Sequence, residues 1–271
     1  MTITTRDGLI DALGNDSDRW VLDKASLSNA AAGQFFSLWQ ATGTPGNGAA
    51  PTTAAVPTKA TTGAFGFTNP TSPEESYLGW GWLATSNATT NLELHDRLAH
   101  MGGLSGTVTT SQGALSLVTN DPGSARYGDT NYSDVSWWLE VFTELGATGV
   151  NATVAVEYND ASTGNLAAIA LGATPRAGRL YPLISASAGK FIRAVTGVTL
   201  SATTGTAGNF GITATRQRAA LTTVVANKVE FFNWADLGLP NIADDACVFP
   251  IMLCTTTTTG TVRGQFKLAH G

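Results

Sequence analysis

The chain has 271 residues, of which 43% are apolar and only 13% charged, with a formal net charge of −5. Soluble domains carry about 25% charged residues, so Thr, Ser, Gly, Ala and Asn cover this surface, and no strongly hydrated ions need be stripped when it packs against another protein. The acidic balance without a clustered basic face argues against nucleic-acid binding, no apolar run approaches the length of a membrane helix, and three histidines and two cysteines leave little for acid–base or nucleophilic catalysis.

The first 24 residues hold the best helix candidate. Thr5 can cap a short helix whose apolar face is Leu9, Ile10 and Leu13, with Gly14-Asn15 ending it. The N-terminus lacks a basic stretch followed by an apolar one, so no secretory signal is expected. Synthesis in a cytoplasm, followed by retention or release with a larger assembly, fits. From about Ser26 to Pro73 the chain is rich in Pro, Gly, Ala and Thr. Prolines at 45, 51 and 57 exclude a long helix or a central strand over 41–62. This stretch is expected to be an extended arm lying on a neighbouring subunit, anchored by Phe35, Phe36, Trp39, Phe65 and Phe67. The expected organisation is therefore residues 1–75 as N-terminal helix and arm, and 76–271 as a β-sandwich body.

From Tyr77 onward strands alternate with turns. Trp80 and Trp82 share one face of a strand by spacing, where they can fill a core, meet a subunit or stack a sugar. Asn91–Leu94 alternates, and 96–103 reads as a turn closing that strand. Val135–Phe142 is an aromatic, β-branched strand that places Trp137 and Trp138 on opposite faces, one in the core and the other near a subunit boundary. Thr153–Tyr158 and Leu166–Leu171 form a hairpin about the turn 159–165, and Phe191–Leu200 and Phe210–Thr215 form a second about 203–209. The last strands are Val248–Leu253 and Thr261–Leu268. Recurrent Gly and Thr clusters with little helical periodicity indicate a mainly β fold, an antiparallel β-sandwich of jelly-roll or Greek-key type.

The candidate chemistry is thin. His95-Asp96 with His100 and Ser105 is triad-like in composition, but adjacent strand residues face opposite sides and no nucleophile elbow accompanies them. Asp129 to Asp134 with Glu140 mimics part of a calcium loop, yet Asp134 stands where glycine is required. The glycine-rich segments 172–178 and 205–211 lack the Lys-Ser/Thr of a phosphate cradle. Cys247 and Cys254 flank one short strand, too far apart along it to form a disulfide, and read as packing thiols. No catalytic, cofactor-binding or metal residues are assigned.

Leu94-His95-Asp96-Arg97-Leu98-Ala99-His100-Met101-Gly102-Gly103-Leu104-Ser105-Gly106-Thr107 resembles segments of virion structural proteins of tailed bacteriophages. The resemblance continues through Trp138–Thr148, Val198–Gly211 and Leu239–Cys247, about two thirds of the chain, in packing and turn segments. It implies a head decoration (cement) or minor capsid protein located in the virion. The expected partners are other copies of itself, as a homotrimer, and the major capsid protein or another virion protein, with neither nucleic acid nor membrane bound. Phe35, Phe36, Trp39, Phe65, Trp80, Trp82, Trp137 and Trp138 are the candidate subunit or capsid contacts. A tail, collar or head-fibre component, or a receptor- or glycan-binding module using Trp80, Trp82 and the loop 129–134, is the alternative.

Overall fold

Alternation along the chain becomes strand geometry almost everywhere. Arg19–Lys24 reads Arg-Trp-Val-Leu-Asp-Lys, and its side chains are alternately exposed and buried, because successive strand residues face opposite sides. A computed structural model describes residues 3–14, 18–28 and 30–271. In chain order its first elements are α1 (Arg6–Gly14), β1 (Arg19–Lys24), β2 (Phe35–Ser37), β3 (Gly43–Thr44), β4 (Ser76–Thr85), β5 (Thr90–Leu104) and β6 (Leu115–Ser116). Then come α2 (Ser124–Tyr127), β7 (Val135–Thr143), β8 (Val150–Tyr158), β9 (Thr163–Asn165), β10 (Ile169–Gly172), β11 (Arg179–Leu183) and β12 (Ile192–Leu200). The last are β13 (Asn209–Thr223), β14 (Glu230–Phe232), α3 (Trp234–Leu237), β15 (Asn241–Ile242), β16 (Val248–Leu253) and β17 (Val262–His270). The fold is mainly β, with 44% of residues in strands and 6% in helices.

The contacts divide the chain into two units whose segments interleave. The first comprises the described residues up to Gly48, Thr58–Asp96 and Gln217–Gly271; the second comprises Ala49–Pro57 and Arg97–Arg216. The long strands β5 and β13 give one part of their length to each.

In the first unit an antiparallel sheet has the order β14-β4-β17-β1-β3, with β15 also on β4. It packs on β2, β16 and the first part of β5 through Trp20, Leu22, Phe36, Leu78, Leu83, Leu92, Leu94, Val248, Met252 and Phe266. Burying ten such side chains is the main favourable contribution, at about 1.5–3 kcal/mol each before the entropy of ordering is counted. Pro250 sits inside β16 between two neighbours. Its carbonyl accepts from Leu38 just beyond the end of β2, and a strand residue's N–H points to the same edge as its carbonyl. The missing donor therefore falls past the ladder, where it costs little. Cys247 and Cys254 are buried at the two ends of this strand, as packing thiols.

In the second unit the order β10-β8-β12-β6, with β9 beside β8, makes one sheet. Strands β5, β13, β7 and β11 follow one another in the closed barrel β11-β2-β16-β5-β13-β7. Val154, Val156, Val195 and Val198 meet Leu98, Leu139, Val141, Phe210, Ile212 and Ala214 between them. Each unit buries one apolar core between an antiparallel sheet and strands of the barrel, consistent with the β-sandwich the alternation predicts.

Several expectations need correction. The residues 96–103 are not a turn but part of the fifteen-residue strand β5; residues 96–102 are all buried, so the alternation that would mark a strand is missing. Residues 191–200 and 209–215 are not a hairpin. β12 pairs with β8 and β6, whereas β13 pairs with β7, so the Gly/Thr stretch between them crosses from sheet to sheet. By contrast β8, β9 and β10 do form the first hairpin. Helix α1 is capped by Thr5, whose Oγ1 accepts from Gly8 N at 3.0 Å, but it buries Leu9 and Ala12 and leaves Ile10 exposed. Asn15 lies outside the described residues.

The segment 41–62 also behaves differently from a free arm, because it packs on its own chain. The buried Lys24 donates to the carbonyls of Ala41 at 2.8 Å and Pro45 at 2.6 Å. Trp39 fills the space that a Cβ on Gly48 would need, within 2.1 Å of its ring. Further on, Ala55 bridges His100 within the second unit. A Cβ on Gly102 would come within 2.1 Å of the Pro51 carbonyl, so Pro51 rides directly on β5.

Candidate functional site

The six-stranded sheet has one face on the core and one face outward, and the outward face is apolar at its centre. In β4 the buried Leu83 alternates with the half-buried Trp82 and Ala84, and Trp80 stands on the same outer side. Register places Trp82 opposite Phe231 of β14 on one side and Gln265 of β17 on the other. Gln265 in turn faces Val21 of β1. Phe231, Trp82, Gln265 and Val21 therefore make one cross-strand row. Phe231 is 75% exposed and Val21 50%. Trp80 begins the next row with Lys267 and Arg19, and Ala84 the one before it with Arg263 and Asp23.

The charges around this row are paired locally. Arg263 Nε lies 3.3 Å from Asp23 Oδ1, and Lys228 Nζ lies 3.1 Å from Glu230 Oε1. Lys267 is buried and donates to the Leu13 carbonyl of α1, which packs over the far end of the face. Such a surface has little electrostatic attraction of its own and a substantial apolar area to withdraw from water.

Of the eight candidate contacts, Trp80 and Trp82 lie together on this face. The others are used by the chain's own packing. Phe36 and Phe65 belong to the first core, with Phe65 stacked on Trp20 at 5.0 Å, and Phe35 is half-buried in β2. Trp39 sits edge-on to Phe249 at 5.8 Å. Trp137 is in the second core and donates to the Ile192 carbonyl at 2.8 Å. Trp138 does face the opposite side, as adjacent strand residues must. It is nonetheless buried, donating to Thr215 Oγ1 at 2.9 Å, so it is not a surface contact of this chain. Sequence reasoning missed Phe231 and Val21. The adjacent pair Phe231-Phe232 carried a signal, since two neighbouring strand residues cannot both face one core.

The triad-like residues do not assemble into one. His95 Nε2 is 2.8 Å from Glu93 Oε2, and Asp96 Oδ1 accepts from the Cys247 backbone at 2.8 Å. His100 belongs to a different cluster, in the second unit. There Arg97 donates to Glu140 Oε1 at 2.8 Å, Thr213 donates to Glu140 Oε2 at 2.6 Å, and Arg97 Nη1 lies 3.3 Å from His100 Nδ1. Burial, with Arg97 as a second cause, pushes the His100 pKa down to about 3. This group is a buried ion pair of Arg97 with Glu140, and the one hydroxyl in it, that of Thr213, is spent on the Glu140 carboxylate. In the loop 129–134, Asp129 and Asn131 accept from backbone N–H groups two residues on, and Asp134 pairs with Arg216 at 3.0 Å. Its oxygens are thus spent on holding a turn.

No protein family matches the chain, and no curated protein matches it. Among solved structures, it is weakly similar to that of infectious bursal disease virus Gt strain, at 10% identity and a TM-score of 0.19, over 94% of this chain and 81% of that one. The Gx strain gives 11% identity and a TM-score of 0.20, over 94% and 81%. The crystal structure of the infectious bursal disease virus VP2 subviral particle gives 10% and 0.16, over 96% and 81%.

Proposed function

We propose that this chain is a non-enzymatic virion structural protein of a tailed phage, a capsid decoration protein that docks on the head lattice as a symmetric oligomer, most simply a trimer. The observation that supports it best is the row Phe231, Trp82, Gln265 and Val21 on a rigid sheet, with most of the nearby charges already paired within the chain. A rigid, uncharged, partly aromatic face loses little conformational entropy on docking, and symmetry repeats each modest contact into avidity. The resemblance of the segments 94–107, 138–148, 198–211 and 239–247 to phage virion proteins points the same way. The test is to purify virions of the phage that carries the gene and measure the copy number of this chain per particle, with light scattering for the free oligomer. A stoichiometric, symmetry-compatible copy number is expected; absence from purified virions overturns the proposal.

A second reading is favoured by the same geometry. Trp80 and Trp82 form a half-exposed shelf beside Gln265, and aromatic faces with adjacent amides stack sugars. Glycan-array binding that Trp82→Ala abolishes would establish that role.

A further inference from the structure

Lys59, Phe67, Asn69 and Asp245 meet in the first unit, outside its regular strands. The chain that carries the first three is fixed on both sides of Lys59. Thr61 N and Ala64 N donate to the carbonyls of Thr58 and Thr61 at 2.8 and 3.0 Å, and Phe65 N donates to Val248 O at 2.9 Å. Lys59 N donates to the Asp245 carbonyl at 3.3 Å, which ties the two segments of the cluster together.

The side chains then form a closed set. The Lys59 ammonium donates to Asn69 Oδ1, and the Asp245 backbone N–H donates to the same oxygen at 3.3 Å. Asn69 Nδ2 donates to Asp245 Oδ1 at 3.3 Å, and Lys59 Nζ lies 3.6 Å from that same carboxylate oxygen. The Phe67 ring covers the amine, 4.6 Å from Nζ to its centroid. An amine thus rests against a carboxamide, one carboxylate touches both, and a backbone N–H points at the carbonyl oxygen. These are a nucleophile, an electrophile, a proton shuttle and an oxyanion donor within reach of one another.

We propose that Lys59 and Asn69 become joined by an intramolecular isopeptide bond, formed by the folded chain itself with Asp245 as the acid–base group. Asp245 takes a proton from the Lys59 ammonium. The freed Nζ lone pair moves from beside Oδ1 onto Asn69 Cγ, and the charge that develops on Oδ1 is held by the Asp245 N–H. Asp245 returns that proton to Nδ2, the Cγ–Nδ2 bond breaks and ammonia departs. Asp245 then takes the second proton from Nζ as the amide forms and passes it to the departing ammonia, which leaves as ammonium. Nothing is oxidised or reduced and no co-reactant enters, so atoms balance with the loss of one ammonia per chain. The Lys59 side chain is 18% exposed and that of Asp245 59%, which shields the amine while leaving ammonia a way out. The competing loss of ammonia through a backbone succinimide is closed at this asparagine, because the next residue, Pro70, has no N–H to attack. The bond would staple the loop 59–69 shut.

Intact-mass measurement of the purified full chain tests this. The expected mass is lower than the sequence mass by one ammonia, and a tryptic digest should yield a peptide spanning 25–97, uncut after Lys59 and lighter by the same amount. Lys59→Arg and Asp245→Asn should each restore the full sequence mass, and Asn69→Asp should form the same bond with loss of water instead. Full sequence mass for the native chain, with normal cleavage after Lys59, overturns the proposal. So does an ammonia loss that survives in Lys59→Arg, since it then arises elsewhere. If a variant fails to fold, fragmentation of the native 25–97 peptide decides, by showing or not showing the Lys59–Asn69 link.

Discussion

Arg97 and Glu140 are withdrawn from water together, at 0% and 1% exposure, and neither is tolerable there alone. Thr213 completes Glu140, and Arg126 adds two buried bonds nearby, to the carbonyls of Pro57 at 3.0 Å and Arg97 at 2.9 Å. Removing one partner of such a pair leaves an uncompensated charge, at a cost of about 3–5 kcal/mol. Glu140→Gln is therefore expected to lower unfolding free energy by that order in urea titration. The double variant Arg97→Met with Glu140→Leu should recover most of it. His100, beside Arg97, sets a pH dependence whose sign follows from its lowered pKa. Unfolded, it binds a proton below about 6.5; folded, burial and the Arg97 charge delay that to about 3. Between these values the unfolded chain holds more protons, so stability falls as pH drops from 6.5 toward 3. His100→Gln should flatten that part of the curve. Lys24, held at about 8 by burial, gives a slope of the same sign in another window. Stability should rise from pH 8 toward 10.5, and Lys24→Met should abolish that rise.

At the scale of elements, the segment 41–62 shows how the same composition can be read two ways. Prolines and glycines exclude helix and central strand, and apart from the two-residue β3 and one bridge at Ala55 the segment has no regular structure. What composition cannot show is that Gly48 in the segment and Gly63 just past it leave the space for one indole. A Cβ on Gly48 would meet Trp39 at 2.1 Å and one on Gly63 would meet it at 2.8 Å, with Gly63 also at a positive φ of 107°. Gly48→Ala should overpack this site by about 1–3 kcal/mol and lower Tm by several degrees. The isolated protein should also resist limited proteolysis between residues 41 and 62. The longer strands after Tyr77 were legible because side-chain alternation is local, as in β8. Pairing was not: β1 lies beside β17 and β5 beside β16, partners separated by most of the chain. Loop chemistry does not encode such crossings, which is why the apparent hairpin at 191–215 failed. β5 was misread beyond Asp96 because burial on both sides removes the period of two that marks a strand.

On the scale of the whole molecule, the low charge visible in the sequence predicts the kind of contact the protein makes, while the place of contact needed the register. Trp80 and Trp82 were identifiable as sharing a face. Phe231 and Val21 join them only because four strands distant in sequence bring them into one row. Most of the charged groups beside that row are already paired within the chain, as Arg263 with Asp23 and Lys228 with Glu230. Docking through it should thus release few counterions and involve few interprotein ion pairs for salt to screen at a Debye length of about 10 Å in 0.1 M salt. Apolar contact instead strengthens slightly with excluded salts such as sulfate. Phe231→Ser and Trp82→Ala remove side chains that are outside both cores, so folding should be little changed, within about 1 kcal/mol for Phe231→Ser. Retention of the protein on particles, measured by co-sedimentation, should fall at least tenfold for the double variant. For the native chain it should stay level from 0.05 to 0.5 M sodium chloride, and should not respond to chelator or dithiothreitol. Release of the native chain by moderate sodium chloride would place the contact on charged residues elsewhere on the molecule. Undiminished retention of the double variant would remove this face from the interface.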